Sequence, residues 1–218
     1  MLATPAYDGR VDVGYTHSLI QSIRLCAQHG IALFPVWWPG EALVQHARNM
    51  LVTMALEAGV ADVIFVDSDQ EWDPQNIVDL LKHDVAVVGA AVRKREDAES
   101  YNIRAKSLNF ATDIKTGLWI VDGIGTGFLR LDKSAMEALW SNSEPYNHNG
   151  TKCRMIFDVG VVDGRLMGED VYMCEKLTAL GFNIYVDSSF TVAHRGAKTF
   201  TGDVKSYVAN LKKAAVKV

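Results

Sequence analysis

The sequence predicts an α/β fold: an open, mostly parallel twisted sheet flanked by helices, contained in one domain. Two patterns and a size argument predict it. Short unbroken apolar runs at residues 31–36, 62–66 and 84–92 suit strands covered on both faces, as in a parallel sheet. Between them apolar residues recur at helical spacing, and this strand–helix alternation implies an open α/β sheet. The chain has 218 residues, 49% hydrophobic and 22% charged, enough for a sizeable core without disulfides or metals.

The elements follow in order. A very short first strand precedes Thr4-Pro5-Ala6-Tyr7, and residues 31–36 form the next. From Leu43 a helix carries Ala47, Met50, Leu51, Met54 and Ala58 inward, and Gly59 is placed to end it. After the 62–66 strand, Asp73-Pro74 reads as N-cap plus first-turn proline, with Ile77, Val78, Leu80 and Leu81 on an apolar side. Residues 118–121 and 128–131 read as strands around the glycine-rich turn 123–127, which a tight hairpin explains, with close backbone approach to a sugar as the alternative. It leads into a strand, so it is not a dinucleotide fingerprint. Residues 142–150 are polar and turn-rich, a loop. A helix over 169–180 turns Val171, Cys174, Leu177 and Leu180 inward, strands follow at 183–186 and 190–193, and a lysine-rich helix begins near Asp203.

Composition narrows the function. A formal net charge of −4 argues against a non-specific polyanion binder, although Arg93-Lys94-Arg95 and Lys205, Lys212, Lys213 and Lys217 leave a local basic patch. No apolar stretch approaches the ~20 residues that cross a bilayer. No basic-then-apolar leader opens the chain, and its three cysteines are too scattered for a disulfide framework, so a cytoplasmic location is expected.

Asp67-Ser68-Asp69 directly follows an apolar strand, where α/β sheets collect ligands. Carboxylates two apart on extended chain project to one side and can hold a hard cation, Mg²⁺ or Mn²⁺, that neutralises a diphosphate. Turn capping by Asp67 and solvation of Asp69 account for the same residues. Glu169 and Asp170 stand at a helix start, where the dipole favours acids, and one of them can take a proton from an attacking hydroxyl. His194 ends a short strand and is either structural or a metal ligand. Arg48 and Asn49 lie at the margin of a buried stripe, where Arg48 can grip phosphate or ribose or form a surface ion pair. Tyr7 can pack on a base or in the core, and Trp37 and Trp38 are part wall, part core.

In chain order, Thr4-Pro5-Ala6-Tyr7, His46-Ala47-Arg48-Asn49, Val66-Asp67-Ser68-Asp69, Gly168-Glu169-Asp170 and Ala193-His194 resemble the GT-A family of nucleotide-sugar glycosyltransferases. The run 166–196 looks like the acceptor-side half of inverting members. The resemblance implies a GT-A-like single domain over 1–218, with residues 1–95 binding the nucleotide sugar and 96–218 forming the acceptor half. It implies Asp170 as base, Glu169 orienting a sugar, and Asp67, Asp69 and His194 around Mn²⁺ or Mg²⁺. Thr4, Pro5, Tyr7, Arg48, Asp67 and Ser68 would line the donor pocket, with a UDP-sugar favoured.

The compact size resembles soluble phage members, some of which modify hydroxymethylated bases in DNA, so such DNA is one expected acceptor; no membrane partner is expected. The tryptophan-rich acceptor motif of processive synthases is missing, which argues against a polysaccharide product, and the acidic pair alone does not settle stereochemistry. Two alternatives stand. A sugar nucleotidylyltransferase would carry a glycine-rich basic loop after its first strand, where this chain has the single Gly9. A non-catalytic sugar- or nucleotide-binding module would lack one acidic element.

Overall fold

The computed structural model describes residues 1–105, 110–196 and 198–215. Its first half holds β1 (Leu2–Ala6), α1 (Val13–Gln28), β2 (Pro35–Pro39), α2 (Val44–Glu57), β3 (Asp62–Val66), β4 (Gln70–Trp72), α3 (Pro74–Lys82) and β5 (Val87–Gly89). Short strands β6 (Ile103–Arg104), β7 (Ala111–Thr112), β8 (Trp119–Val121) and β9 (Gly123–Ile124) lead to β10 (Phe128–Asp132) and α4 (Lys133–Ser141). Two hairpins follow, β11 (Pro145–His148) with β12 (Thr151–Arg154) and β13 (Gly160–Val162) with β14 (Arg165–Met167). Then come α5 (Glu169–Ala179), β15 (Ile184–Val186), β16 (Val192–His194) and α6 (Val204–Ala215).

An eight-stranded sheet in the order β2-β1-β3-β10-β5-β15-β8-β7 spans both halves. β2, β1 and β3 run parallel, as do β5 and β15, while β10 and β8 run against their neighbours. The sheet is therefore mixed, more so than the apolar runs alone suggest, in a GT-A-like α/β architecture. Period-two alternation divides its side chains between two cores. Leu2, Ile64, Val66, Val88 and Phe128 pack with α1 and α3 on one face. Ala3, Val63, Phe65, Val87 and Leu129 pack with α2, α4 and α5 on the other. Covered on both faces, these strands read as continuous apolar runs. The edges are blunted: β2 carries proline at both ends, and β7 is very short.

Caps place the helices. Asp73 accepts from the Gln75 N–H at 2.9 Å, and Gly59 and Gly181 adopt φ +66° and +90° just past α2 and α5, a conformation glycine takes without strain. Two helices escape the periodicity reading, α1 and α4. The inward stripe of α1 is Tyr15, Ser18, Leu19, Ser22 and Cys26, and its serines break the apolar rhythm. They are there for Trp72, whose backbone bonds Ser18 and whose indole N–H donates to Ser22 at 2.9 Å.

Other expectations are corrected. The second strand is 35–39, so Trp37 and Trp38 are strand residues paired with Thr4 and Pro5. Residues 145–148 are the first arm of a hairpin. Residues 119–121 and 128–132 do not pair with each other: β8 lies beside β15 and β7, and β10 lies between β3 and β5. The glycine segment is thus a crossing between distant strands. Lys217 lies outside the described residues.

Candidate active site

The carboxyl ends of β1, β3 and β5 and the amino end of β10 face one edge of the sheet. There the chain turns at Asp67-Ser68-Asp69, closed by the Gln70 N–H donating to the Asp67 carbonyl at 3.1 Å. The two acids therefore sit in a turn, not on extended chain, and their carboxylates go to different partners. Asp67 receives the Arg48 guanidinium at 3.0 Å. Asp69 receives the Gln70 amide at 3.2 Å and the Arg95 guanidinium.

The turn returns as β4, anchored through Trp72, and β4 pairs antiparallel with β16 so that His194 stands opposite Gln70. The Arg195 N–H donates to the Asp69 carbonyl at 2.8 Å, extending that ladder. His194 Nδ1 lies 2.9 Å from the Arg93 carbonyl, which can only accept, so Nδ1 carries the proton and Nε2 presents its lone pair. Burial lowers the His194 pKa; the bond to the Arg93 carbonyl opposes this, and the neighbouring Arg95 charge adds to it. Neutral Nε2 then faces Asp69 Oδ2 at 3.5 Å. Two acceptors so placed form a donor pair whose chemistry suits a shared cation.

Behind Asp67, Arg48 is 5% exposed, and its guanidinium also donates to Glu169 at 2.5 Å. It is neither marginal nor at the surface: it is a buried link between the β3 turn and the first turn of α5. Both NH₂ groups are spent on carboxylates, leaving the buried Nε without a partner. Asp170 receives the Asn102 amide at 2.8 Å and the Val171 N–H at 2.7 Å. Asn102 can reach it because residue 125 is glycine: a Cβ there would stand 2.2 Å from the Asn102 amide nitrogen. The backbone approach in the glycine turn is thus to Asn102, and at Gly127 to Asp67.

Asp67, Asp69, Lys94, Arg95, Asn102 and His194 line one pocket of about 360 Å³. Larger clefts of about 520 and 690 Å³ lie by Arg104 and Glu175 and by Asp62 and Arg130. Convergent chemistry, not volume, singles out the smaller one. Among the described residues no three His, Cys, Asp or Glu side chains already stand as a ligand set. The Asp69–His194 pair is still an oxygen and a neutral imidazole nitrogen, with Asp67 on the same wall, a donor set that fits Mn²⁺ or Mg²⁺. Such ions are commonly held by one or two protein ligands and complete their shell with phosphate and water.

The remaining predicted residues are less engaged. Thr4 is fully buried within β1, its hydroxyl 2.7 Å from that of Tyr15, so it presents no face to a ligand. Pro5 is half-buried in the same strand. Tyr7 is 71% exposed beyond the end of β1, and the Ser68 carbonyl accepts from the Asp12 N–H at 2.8 Å. His46 turns to Glu41, at 2.7 Å, and its ring lies 4.4 Å from that of His148.

The sequence gives no sign of Asn102, and it places Asn49 at a helix margin without a role. Asn49 clamps the Phe157 backbone, donating to its carbonyl at 3.0 Å and accepting from its N–H at 2.7 Å, and so ties α2 to the chain ahead of α5. No local signal marks either contact, since each partner is far away in sequence. The cysteines are free and buried, and burial pushes the Cys174 thiol up to about 12, so it is no nucleophile.

With this geometry in hand, solved structures supply a fold comparison. The protein A197 from STIV matches at a TM-score of 0.56 and 17% identity over 92% of each chain, a likeness of fold. A glycosyltransferase involved in glycosylating the major capsid of PBCV-1 aligns at 14% identity over 62% of this chain and 61% of its own, with a TM-score of 0.36. HddC from Yersinia pseudotuberculosis aligns at 11% identity over 80% of this chain and 98% of its own, with a TM-score of 0.34. No protein-family profile and no curated protein matches the chain. The chain shares its fold with A197. No helix among the described residues is long and apolar enough to cross a membrane.

Proposed function

We propose that the protein is a cation-dependent glycosyltransferase that moves one sugar from a nucleoside diphosphate donor, a UDP-sugar first, to an acceptor hydroxyl with inversion. The observation that carries this reading is the β4–β16 register, which brings neutral His194 Nε2 to 3.5 Å from Asp69. The Asp67 wall of the same pocket is joined through Arg48 to the acidic first turn of α5.

A divalent ion bound by Asp69 and His194 would neutralise the leaving diphosphate. Asp170 removes the proton from the acceptor hydroxyl. The hydroxyl oxygen bonds to the anomeric carbon as the bond from that carbon to the diphosphate oxygen breaks, and the nucleoside diphosphate leaves with the electron pair. Asn102 holds the Asp170 carboxylate in position, and Glu169, fixed by Arg48, orients a sugar. General-base help of this kind contributes roughly 10²–10⁴ in rate. Tyr7, just past the end of β1, is the proposed platform for the base, and Pro5 and Ser68 are the other residues proposed for the donor pocket. A cytoplasmic site of action is part of the proposal, supported by the free cysteines.

The test is mass spectrometry of acceptors, hydroxymethylated DNA among them, after incubation with a panel of nucleotide sugars and Mn²⁺. Transfer or slow donor hydrolysis is expected, with Asp170→Asn inactive in transfer while binding the donor normally. An active Asp170→Asn removes that residue as base. Pyrophosphate release from a nucleoside triphosphate and a sugar phosphate would instead establish a nucleotidylyltransferase.

A further inference from the structure

Arg95 is the cation that now sits against Asp69. Its guanidinium contacts Asp69 Oδ2, the same oxygen that His194 Nε2 faces at 3.5 Å. The side chain is 43% exposed, and a Cβ on residue 196 would lie 3.6 Å from its Cδ and Nε, so it runs out across the open backbone of Gly196. The base of its loop is fixed. Arg93 donates to the Thr201 carbonyl at 2.6 Å and the Asp97 carbonyl at 3.2 Å, lies 5.9 Å from the Phe200 ring centroid, and bridges to Tyr101. Lys94 lines the same pocket, exposed. The loop backbone is thus anchored while two long cationic side chains reach the pocket.

We propose that Arg95 and a divalent cation are mutually exclusive occupants of the space between Asp69 and His194, and that the donor's diphosphate draws the guanidinium off Asp69 as the cation enters. This rests on the donor reading above. A guanidinium and a divalent ion sharing one carboxylate oxygen repel each other, so one must leave. Arg95 is long enough to exchange a carboxylate for phosphate oxygens, which its planar fork fits equally well. By linkage, the diphosphate that removes Arg95 then raises the affinity for the cation, and the cation raises the affinity for the diphosphate.

The exchange gives Arg95 opposite effects on two ligands, which a merely structural residue does not have. In the full chain, Mn²⁺ alone is titrated against the free-ion paramagnetic signal, and uridine diphosphate is titrated by calorimetry in saturating Mn²⁺. Arg95→Gln is expected to bind Mn²⁺ alone about ten-fold more tightly and uridine diphosphate about ten-fold more weakly than the unaltered protein. Arg95→Lys should fall between on both axes. Lys94→Gln, whose charge does not touch Asp69, should weaken only the nucleotide. If Arg95→Gln leaves Mn²⁺ affinity within two-fold of the unaltered protein, or weakens both ligands, the exchange is wrong. Equal nucleotide binding by the unaltered protein in chelator, lost in Arg95→Gln, would make Arg95 a permanent substitute for the cation and also overturn it. An unaltered protein that binds neither ligand would overturn the donor reading itself.

Discussion

Replacing Arg48 by Met tests whether the pocket is held together by a buried cation. The substitution keeps the apolar stem against Phe157, whose ring centroid lies 6.0 Å from the guanidinium carbon, and removes only the charge. Two charge-assisted hydrogen bonds disappear, one to Glu169 and one to Asp67. Losing one partner of a fully buried pair costs about 3–5 kcal/mol, but neither acid is fully buried. The Asp67 side chain is 34% exposed, so its share is discounted to about 1 kcal/mol, near the range of exposed pairs. Glu169, at 20%, keeps about 2 kcal/mol.

The expected loss is therefore about 3 kcal/mol. For a chain of this size it lowers the melting temperature by roughly 6–12 °C. Urea unfolding of Arg48→Met measures it directly. In a Glu169→Gln background the same change should cost only about 1 kcal/mol, since one charged partner is already gone. A single-mutant loss below about 0.5 kcal/mol, or no coupling to Glu169, would refute the link between β3 and α5.

The remaining predictions concern the glycine turn and acid stability. Gly125→Ala would place a methyl 2.2 Å from the Asn102 amide nitrogen and push that amide off Asp170. Transfer should fall about 10²-fold with donor affinity unchanged, in steady-state kinetics and calorimetry; full activity would show that Asn102 does not position Asp170. Burial raises the Asp187 pKa, but hydrogen bonds from the Ser189 hydroxyl and N–H, with His83 at 2.9 Å, outweigh this and hold it below the usual range. A carboxyl depressed in the folded state stabilises it above the ordinary carboxylate range, and that stabilisation is lost as pH falls through the folded value. Urea midpoints should begin to drop below about pH 5 and keep falling as pH passes through the lowered Asp187 value, with a shallower slope in Asp187→Asn.

Much of this fold was legible because local chemistry sets it. Asp73-Pro74, Gly59 and Gly181 mark helix ends wherever they fall, and strands buried on both faces announce themselves as apolar runs. α1 was hidden because Ser18 and Ser22 serve Trp72, a partner in another element, at the cost of an apolar stripe. The glycine segment 123–127 looked like a hairpin because a positional need for small residues reads the same whether a turn or a neighbour imposes it. Asp67, Asp69, Asp170 and His194 stood out by type at element ends. The approach of His194 to Asp69 depends on the β4–β16 register, which no local pattern encodes. Arg48 was misplaced for a related reason: an arginine reads as surface until its carboxylate partners, brought in by β3 and α5, are seen around it.

In the proposed complex, Asp69 and His194 grip one ion together with the donor diphosphate. Pulsed electron paramagnetic resonance of Mn²⁺ with the protein and uridine diphosphate reads this directly. A directly bound imidazole nitrogen and coupled phosphorus should both appear, the nitrogen vanishing in His194→Ala and the protein-bound ion in Asp69→Ala. A Mn²⁺ signal with phosphorus but no nitrogen coupling, or one unchanged in both variants, would contradict it.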